Sequence, residues 1–130
     1  MEGSLVSIVT RAYLDPVYLR FREDFDSILD PRTHSIEWLD AQVWSGKAKI
    51  WGDDRACALT EIRHFPAGTF EVHVMIAAGS LKILVSEIMP EIQLWKDEIG
   101  ALFVSVASRM AWVRLLDPLG FRVWQTEVRD

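Results

Sequence analysis

Thr60-Glu61-Ile62-Arg63-His64-Phe65-Pro66-Ala67-Gly68-Thr69-Phe70-Glu71-Val72-His73-Val74 decides how the middle of the chain folds. Pro66-Ala67-Gly68 is a three-residue turn between two segments of alternating polarity, the pattern of a β-hairpin. Closing that turn places Phe65 opposite Thr69, Glu61 opposite His73 and Arg63 opposite Glu71. Both polar pairs are favourable across strands. A slip by two residues sets Glu61 against Glu71, and a slip by one turns every side chain to the other face. The register is therefore constrained, with Glu61, Arg63, Glu71 and His73 on one face. The alternate residues Phe70, Val72, Val74, Ile76 and Ala78 read as one continuous apolar surface that packs a helix. Glu61 and His73 are the candidate general bases, since a carboxylate or an imidazole in a cleft accepts a proton from an amine. The same four side chains also read as cross-strand ion pairs on a solvated face, where such pairs contribute little.

Working outward, residues 47–51, 55–65 and 69–78 form an antiparallel meander. Upstream, residues 4–10 are rich in β-branched side chains and predict a strand. Asp15-Pro16 then supplies an N-cap and a first-turn proline. Tyr18, Phe21, Phe25, Ile28 and Leu29 follow at helical spacing, and Arg20/Asp24 and Arg22/Asp26 are opposite charges one turn apart. A second helix starts near Ser35, with Ile36, Leu39 and Val43 on one side, and stops at Ser45-Gly46.

Downstream, Leu81, Leu84, Val85, Ile88, Ile92, Trp95 and Ile99 form the clearest apolar stripe in the chain, a helix that opens at Gly79-Ser80 and closes at Gly100. Pro90 lies inside it and predicts a kink or local break, because proline lacks an N–H and clashes with the preceding turn. Leu102, Val104 and Val106 alternate as a strand, residues 110–119 read as a short helix, and residues 121–128 read as a closing strand. The fold class expected is α+β, a mixed but mostly antiparallel sheet flanked by helices, with residues 1–130 as a single domain.

The net charge of −5, without a concentration of Lys and Arg, argues against nucleic acid as a partner. No apolar run is long enough to span a bilayer, and residues 1–6 lack the pattern of a secretory signal. Cys57 is the single cysteine, which leaves no intrachain disulfide and fits a reducing compartment. A soluble, cytoplasmic protein is the expectation. His34, His64 and His73 show no metal-ligand spacing, so no metal is expected. Cys57 on a strand reads as core rather than nucleophile. Six tryptophans are more than a core of this size buries easily. Trp95 falls on the helix stripe, whereas Trp124 on the last strand is the candidate contact for a homodimer or another protein partner.

The order strand, helix, helix, three antiparallel strands, helix, strand, helix, strand resembles the GNAT superfamily of N-acetyltransferases. The stretch Ser108-Arg109-Met110-Ala111-Trp112-Val113-Arg114-Leu115-Leu116-Asp117-Pro118-Leu119-Gly120-Phe121 is similar to the last helix and strand of that family, where "Asn-x-x-Ala-x-x-Leu-Tyr-x-x-x-Gly-Phe" is usual. Leu59-Thr60-Glu61-Ile62, Ala77-Ala78-Gly79, Trp95 and Arg109-Met110-Ala111-Trp112-Val113-Arg114-Leu115-Leu116 also resemble small GNAT-like proteins of tailed phages and prophages.

The resemblance implies transfer of an acetyl group from acetyl-CoA to a small-molecule or protein amine. Glu61 or His73 would be the base, the main chain at Met75, Ile76 and Ala77 would hold the pantetheine arm, and Gly79, Ser80 and Lys82 would face the pyrophosphate. The chain departs from the family at two points. Ile76-Ala77-Ala78-Gly79-Ser80-Leu81-Lys82 has one glycine where "Arg/Gln-x-x-Gly-x-Gly/Ala" is usual. The tyrosine acid of the last helix is absent, since Tyr13 and Tyr18 are the only tyrosines. These departures keep a second reading open, a non-catalytic phage or prophage protein serving virion assembly or host interaction. A third is an unrelated α+β ligand-binding domain, which strand order separates: a GNAT sheet splays between its central two strands and a ferredoxin-like sheet does not.

Overall fold

Asp15 caps the first helix by accepting a hydrogen bond from the Val17 N–H at 2.7 Å, with Pro16 in the first turn where its missing N–H costs nothing. The computed structural model, which describes residues 14–107, Pro118, 122–124 and 127–129, places this helix, α1, over Pro16–Ile28. Tyr18, Phe21 and Phe25 are buried along it, whereas Ile28, expected on the same stripe, is 42% exposed. Helix α2 (Ile36–Trp44) starts at Ser35, whose hydroxyl accepts from the Trp38 N–H at 3.1 Å.

The expected charge pairs within α1 give way to tertiary ones. Asp40 on α2 is 3% exposed and accepts from Tyr18 Oη at 2.6 Å, from Arg22 Nε at 2.9 Å and from an Arg22 terminal nitrogen at 2.7 Å. A buried carboxylate left unpaired would be costly, so Arg22 is drawn to Asp40 across the helix pair. Arg20 likewise reaches the Asp54 carbonyl at 2.8 Å.

Strands β1 (Lys49–Gly52), β2 (Ala56–His64) and β3 (Phe70–Gly79) form the antiparallel meander. The hairpin register is the one the charges favour: Glu61 pairs with His73 and Arg63 with Glu71. The register then shifts. Thr60 pairs with Val74 but Leu59 pairs with Ile76, so Met75 is an extra residue on β3, a β-bulge.

This bulge corrects the expectation of one apolar face from Phe70 to Ala78. Val72 and Val74 pack on one side of the sheet with Leu84, Ile88, Met89 and Ile92. Ile76 and Ala78 pack on the other with Tyr18, Phe21, Phe25 and Leu39. The sheet is thus the middle of three layers, with the first two helices on one side and the long helix on the other.

Gly79 ends β3 with φ +98°, in a region L side chains avoid, and a Cβ there would lie 2.6 Å from the Arg55 carbonyl oxygen. The long helix follows as α3 (Leu81–Ile83), a π turn over Leu84–Ile88 and α4 (Met89–Ile99). The π turn is the form the expected break takes: Pro90 supplies no N–H, and the Met89 N–H bonds the Leu84 carbonyl instead. The extra residue rotates the stripe, so Met89 is buried at 1% while Leu81 is 38% exposed.

Strand β4 (Val104–Ala107) runs parallel to β3, with Val72, His73 and Val74 paired to Val104, Ser105 and Val106. The expected closing strand is two: β5 (Arg122–Trp124) and β6 (Glu127–Arg129) pair antiparallel, and β6 pairs with β4. The sheet order is β1-β2-β3-β4-β6-β5. The expected strand over residues 4–10 lies outside the described residues, as does most of the expected helix over 110–119. No helix among the described residues is long and apolar enough to cross a membrane.

Candidate functional site

Alternation along β2 sends Ala56 and Ala58 toward the long helix and Cys57 and Leu59 toward α1 and α2. Glu61 and Arg63 continue the second series. From β3 come Glu71 and His73, and the bulge adds Met75 and Ile76 as two consecutive residues on this side. Leu29, His34, Trp38 and Leu39, from the end of α1 to the middle of α2, face Glu61, Arg63, His73, Met75 and Ile76 across a cleft of about 300 Å³. The His34 and Trp38 rings lie with centroids 4.4 Å apart.

Burial pushes the Glu61 carboxyl above its ordinary value, opposed by the Arg63 guanidinium, reinforced by the Glu71 carboxylate and opposed again by His34. A carboxylate raised in this way is a stronger proton acceptor than an exposed one.

Beneath Glu61 and His73 the face is a continuous polar network. Glu71 is fully buried. Arg63 Nε donates to Glu71 Oε1 at 2.6 Å and a terminal nitrogen of the same guanidinium pairs with that oxygen. Ser105 Oγ donates to Glu71 Oε1 at 3.0 Å and lies 2.8 Å from His73 Nδ1. Glu71 Oε2 is the buried side-chain oxygen without a hydrogen-bond partner among the described residues.

The residues expected to meet acetyl-CoA are divided by the structure. Met75 and Ile76 line the cleft with Glu61 and His73. Ala77 turns to the opposite face and packs at the edge of the long-helix core. Among the described residues the β3–β4 pairs run from Val72 to Val74, and Met75 and Ile76 follow directly beside the cleft. Gly79, Ser80 and Lys82 stand at the far end of β3. The Ser80 N–H is bound to the Arg55 carbonyl at 3.0 Å, and its hydroxyl caps the Ile83 N–H at 3.3 Å. Ser80 therefore serves the helix start; Lys82 is an exposed cation in the first turn, and the nearby Arg55 guanidinium is paired with Asp53 and Glu87.

Cys57 is fully buried, and burial pushes its thiol up to about 12, which leaves it a core residue. Trp51 and Trp95 pack with centroids 5.5 Å apart, and Lys49 Nζ lies 5.0 Å and 4.7 Å from the two rings. Trp124 is on β5, paired with Glu127 of β6. Among the described residues no group of three or more His, Cys, Asp or Glu is placed to hold a metal ion.

Ser105, His34 and Trp38 join the site without having been expected there. Ser105 had a signal, a hydroxyl alternating with Val104 and Val106 on a strand otherwise buried. His34 and Trp38 had none, because their place depends on how the turn after α1 returns to the sheet. No protein-family model matches the chain, and no curated protein matches it.

Proposed function

We propose that this chain is a GNAT-like acyltransferase that moves an acetyl group from acetyl-CoA to an amine on a small molecule or a protein. The observation that carries this reading is the Met75 bulge. A bulge bends its strand, and this one lies just beyond the described β3–β4 pairs, beside a cleft holding Glu61 and His73. The sheet order, with one parallel pair between two antiparallel sets, supports the same reading, since the family sheet parts between its central strands.

The residues fit the cofactor at one end better than at the other. Main-chain groups at Met75, Ile76 and Ala77 suit an extended pantetheine arm that adds as a strand would. At the pyrophosphate end, Gly79 is held against Arg55 and the Ser80 groups are engaged, so Lys82 and the start of the helix remain for the anion. When bound, the thioester supplies the activated acetyl group. The chain's own work is to bind the amine between Glu61 and the His34–Trp38 wall, exclude water, and take one proton from the nitrogen. Glu61, with its raised carboxyl value, or His73 opposite it is the acceptor of that proton.

Glu61→Gln tests which of the two is the acceptor, because it keeps the side chain's shape while removing its charge. With Glu61 as the acceptor, turnover should fall ~100-fold or more with acetyl-CoA affinity retained; with His73 as the acceptor it should fall far less. Unchanged turnover would remove Glu61 from the mechanism.

A further inference from the structure

His73 is built into a network that decides which of its nitrogens is basic. Glu71 is fully buried and ion-paired to Arg63, so its carboxylate accepts hydrogen bonds and donates none. Ser105 is also fully buried, and its one hydroxyl proton goes to Glu71 Oε1 at 3.0 Å. With that proton committed, Ser105 Oγ can only accept from the imidazole 2.8 Å away, so His73 Nδ1 carries a proton. In the neutral ring the lone pair is then on Nε2.

The arrangement follows from the strand register. His73 and Ser105 are paired neighbours on parallel strands, and Glu71 precedes His73 by two residues on the same face. A buried carboxylate is costly to keep, and one of its oxygens goes without a partner here. A core that needed only packing would be served by an apolar residue at 71.

We propose that Ser105 and Glu71 are positioning residues for His73: they hold its Nδ1–H and make Nε2 the base of the cleft. This deepens the acyltransferase reading and rests on it for the reaction, though the tautomer itself does not. Nε2 takes one proton from the acceptor amine as the C–N bond forms and the thioester C–S bond breaks; the ring becomes an imidazolium and returns that proton to the departing thiolate. The Nδ1 proton stays on Nδ1, bonded to Ser105, and the Ser105 proton stays on its own oxygen. The Glu71 charge stabilises the imidazolium through the serine hydroxyl, and no proton travels along the chain of bonds.

Other charges act on His73 and must be separated from this effect. Glu61 faces it from β2, with Arg63 two residues further on, and His34 lines the same cleft. Removing the Glu61 charge alters the proton affinity of His73 but leaves the Ser105 bond, and so the tautomer, in place.

The test is histidine ¹⁵N-labelled protein followed by NMR across pH, with Ser105→Ala, Ser105→Thr, Glu71→Gln and Glu61→Gln. Wild type should show His73 as the Nδ1–H tautomer. Ser105→Ala should lose that preference and titrate at lower pH, Ser105→Thr should restore both, and Glu61→Gln should keep the tautomer. With an amine acceptor, Ser105→Ala should lose ~10-fold in kcat with KM little changed, a part of what positioned proton transfer contributes. An Nε2–H tautomer in wild type, or a Ser105→Ala protein with an unaltered tautomer, would overturn the proposal. Failure to bind acetyl-CoA would overturn the acyltransferase reading and leave the tautomer result standing on its own.

Discussion

Val74 and Ile76 are two residues apart on β3, yet they pack on opposite faces of the sheet. Met75 between them has no partner on β2, where Thr60 pairs with Val74 and the adjacent Leu59 with Ile76. One extra residue therefore does three things at once. It lets the first half of β3 face the long helix and the second half face α1 and α2, it bends the strand just beyond its described pairs with β4, and it turns Met75 and Ile76 together into the cleft.

Deleting Met75 should be far more damaging than replacing it. Without the extra residue Ile76 and Ala78, each 8% exposed, would turn away from the core they complete. The deletion is expected to cost more than about 4 kcal/mol in urea unfolding, the range reserved for loss of a core arrangement. Met75→Ala should keep the fold, since the bulge is a backbone feature.

Gly79→Ala should destabilise through the backbone and by collision. The added Cβ would meet the Arg55 oxygen at 2.6 Å and the Ala56 Cα at 2.7 Å, at a φ of +98°. Neither neighbour is a flexible side-chain end. A loss of about 2–4 kcal/mol is expected, read from denaturant midpoints at constant slope.

Asp40 links α1 to α2 through Tyr18 and Arg22. Asp40→Ala strands a guanidinium that is 15% exposed and a buried hydroxyl, for an expected loss of about 3 kcal/mol. Tyr18→Phe removes one hydrogen bond to a charged acceptor and should cost about 1.5 kcal/mol. In a double-mutant cycle the two losses should add to less than their sum, because they share one contact.

Glu61 makes the folded state sensitive to pH in a defined direction. Burial raises its carboxyl value on folding, so the folded chain holds that proton more tightly than the unfolded chain. The stability this contributes is complete below the ordinary value of 4.5 and is lost as pH rises through the higher folded value. Glu61→Gln should therefore gain stability relative to wild type between acid and neutral pH, in melts recorded across that range. A relative loss over the same interval would mean that Glu61 is held as a stabilised anion.

The sequence made the hairpin legible because its turn and its two charge pairs agree on one register, and Glu61–His73 and Arg63–Glu71 are the observed pairs. Helix starts at Asp15 and Ser35 were legible for the same reason, since a capping side chain acts on its own neighbours. The bulge was not. Nothing in Val74-Met75-Ile76-Ala77 marks an inserted residue, because all four are apolar and only the two cores they must fill distinguish their faces. The π turn was half legible: Pro90 announced a disturbance, but whether the helix kinks or gains a residue depends on packing under Met89. The candidate site shows the same division. Glu61 and His73 follow from local pairing, whereas Ser105 reaches His73 through a parallel pairing of distant segments, which no local pattern encodes.

Calorimetric titration of the purified protein with acetyl-CoA, and separately with free coenzyme A, tests the acyltransferase reading. Saturable binding at one site for both ligands is predicted, weakened by a charge reversal at Lys82. No heat of binding for either ligand at millimolar concentration would contradict the acyltransferase reading, and the cleft around Glu61 and His73 would then need a different ligand or none.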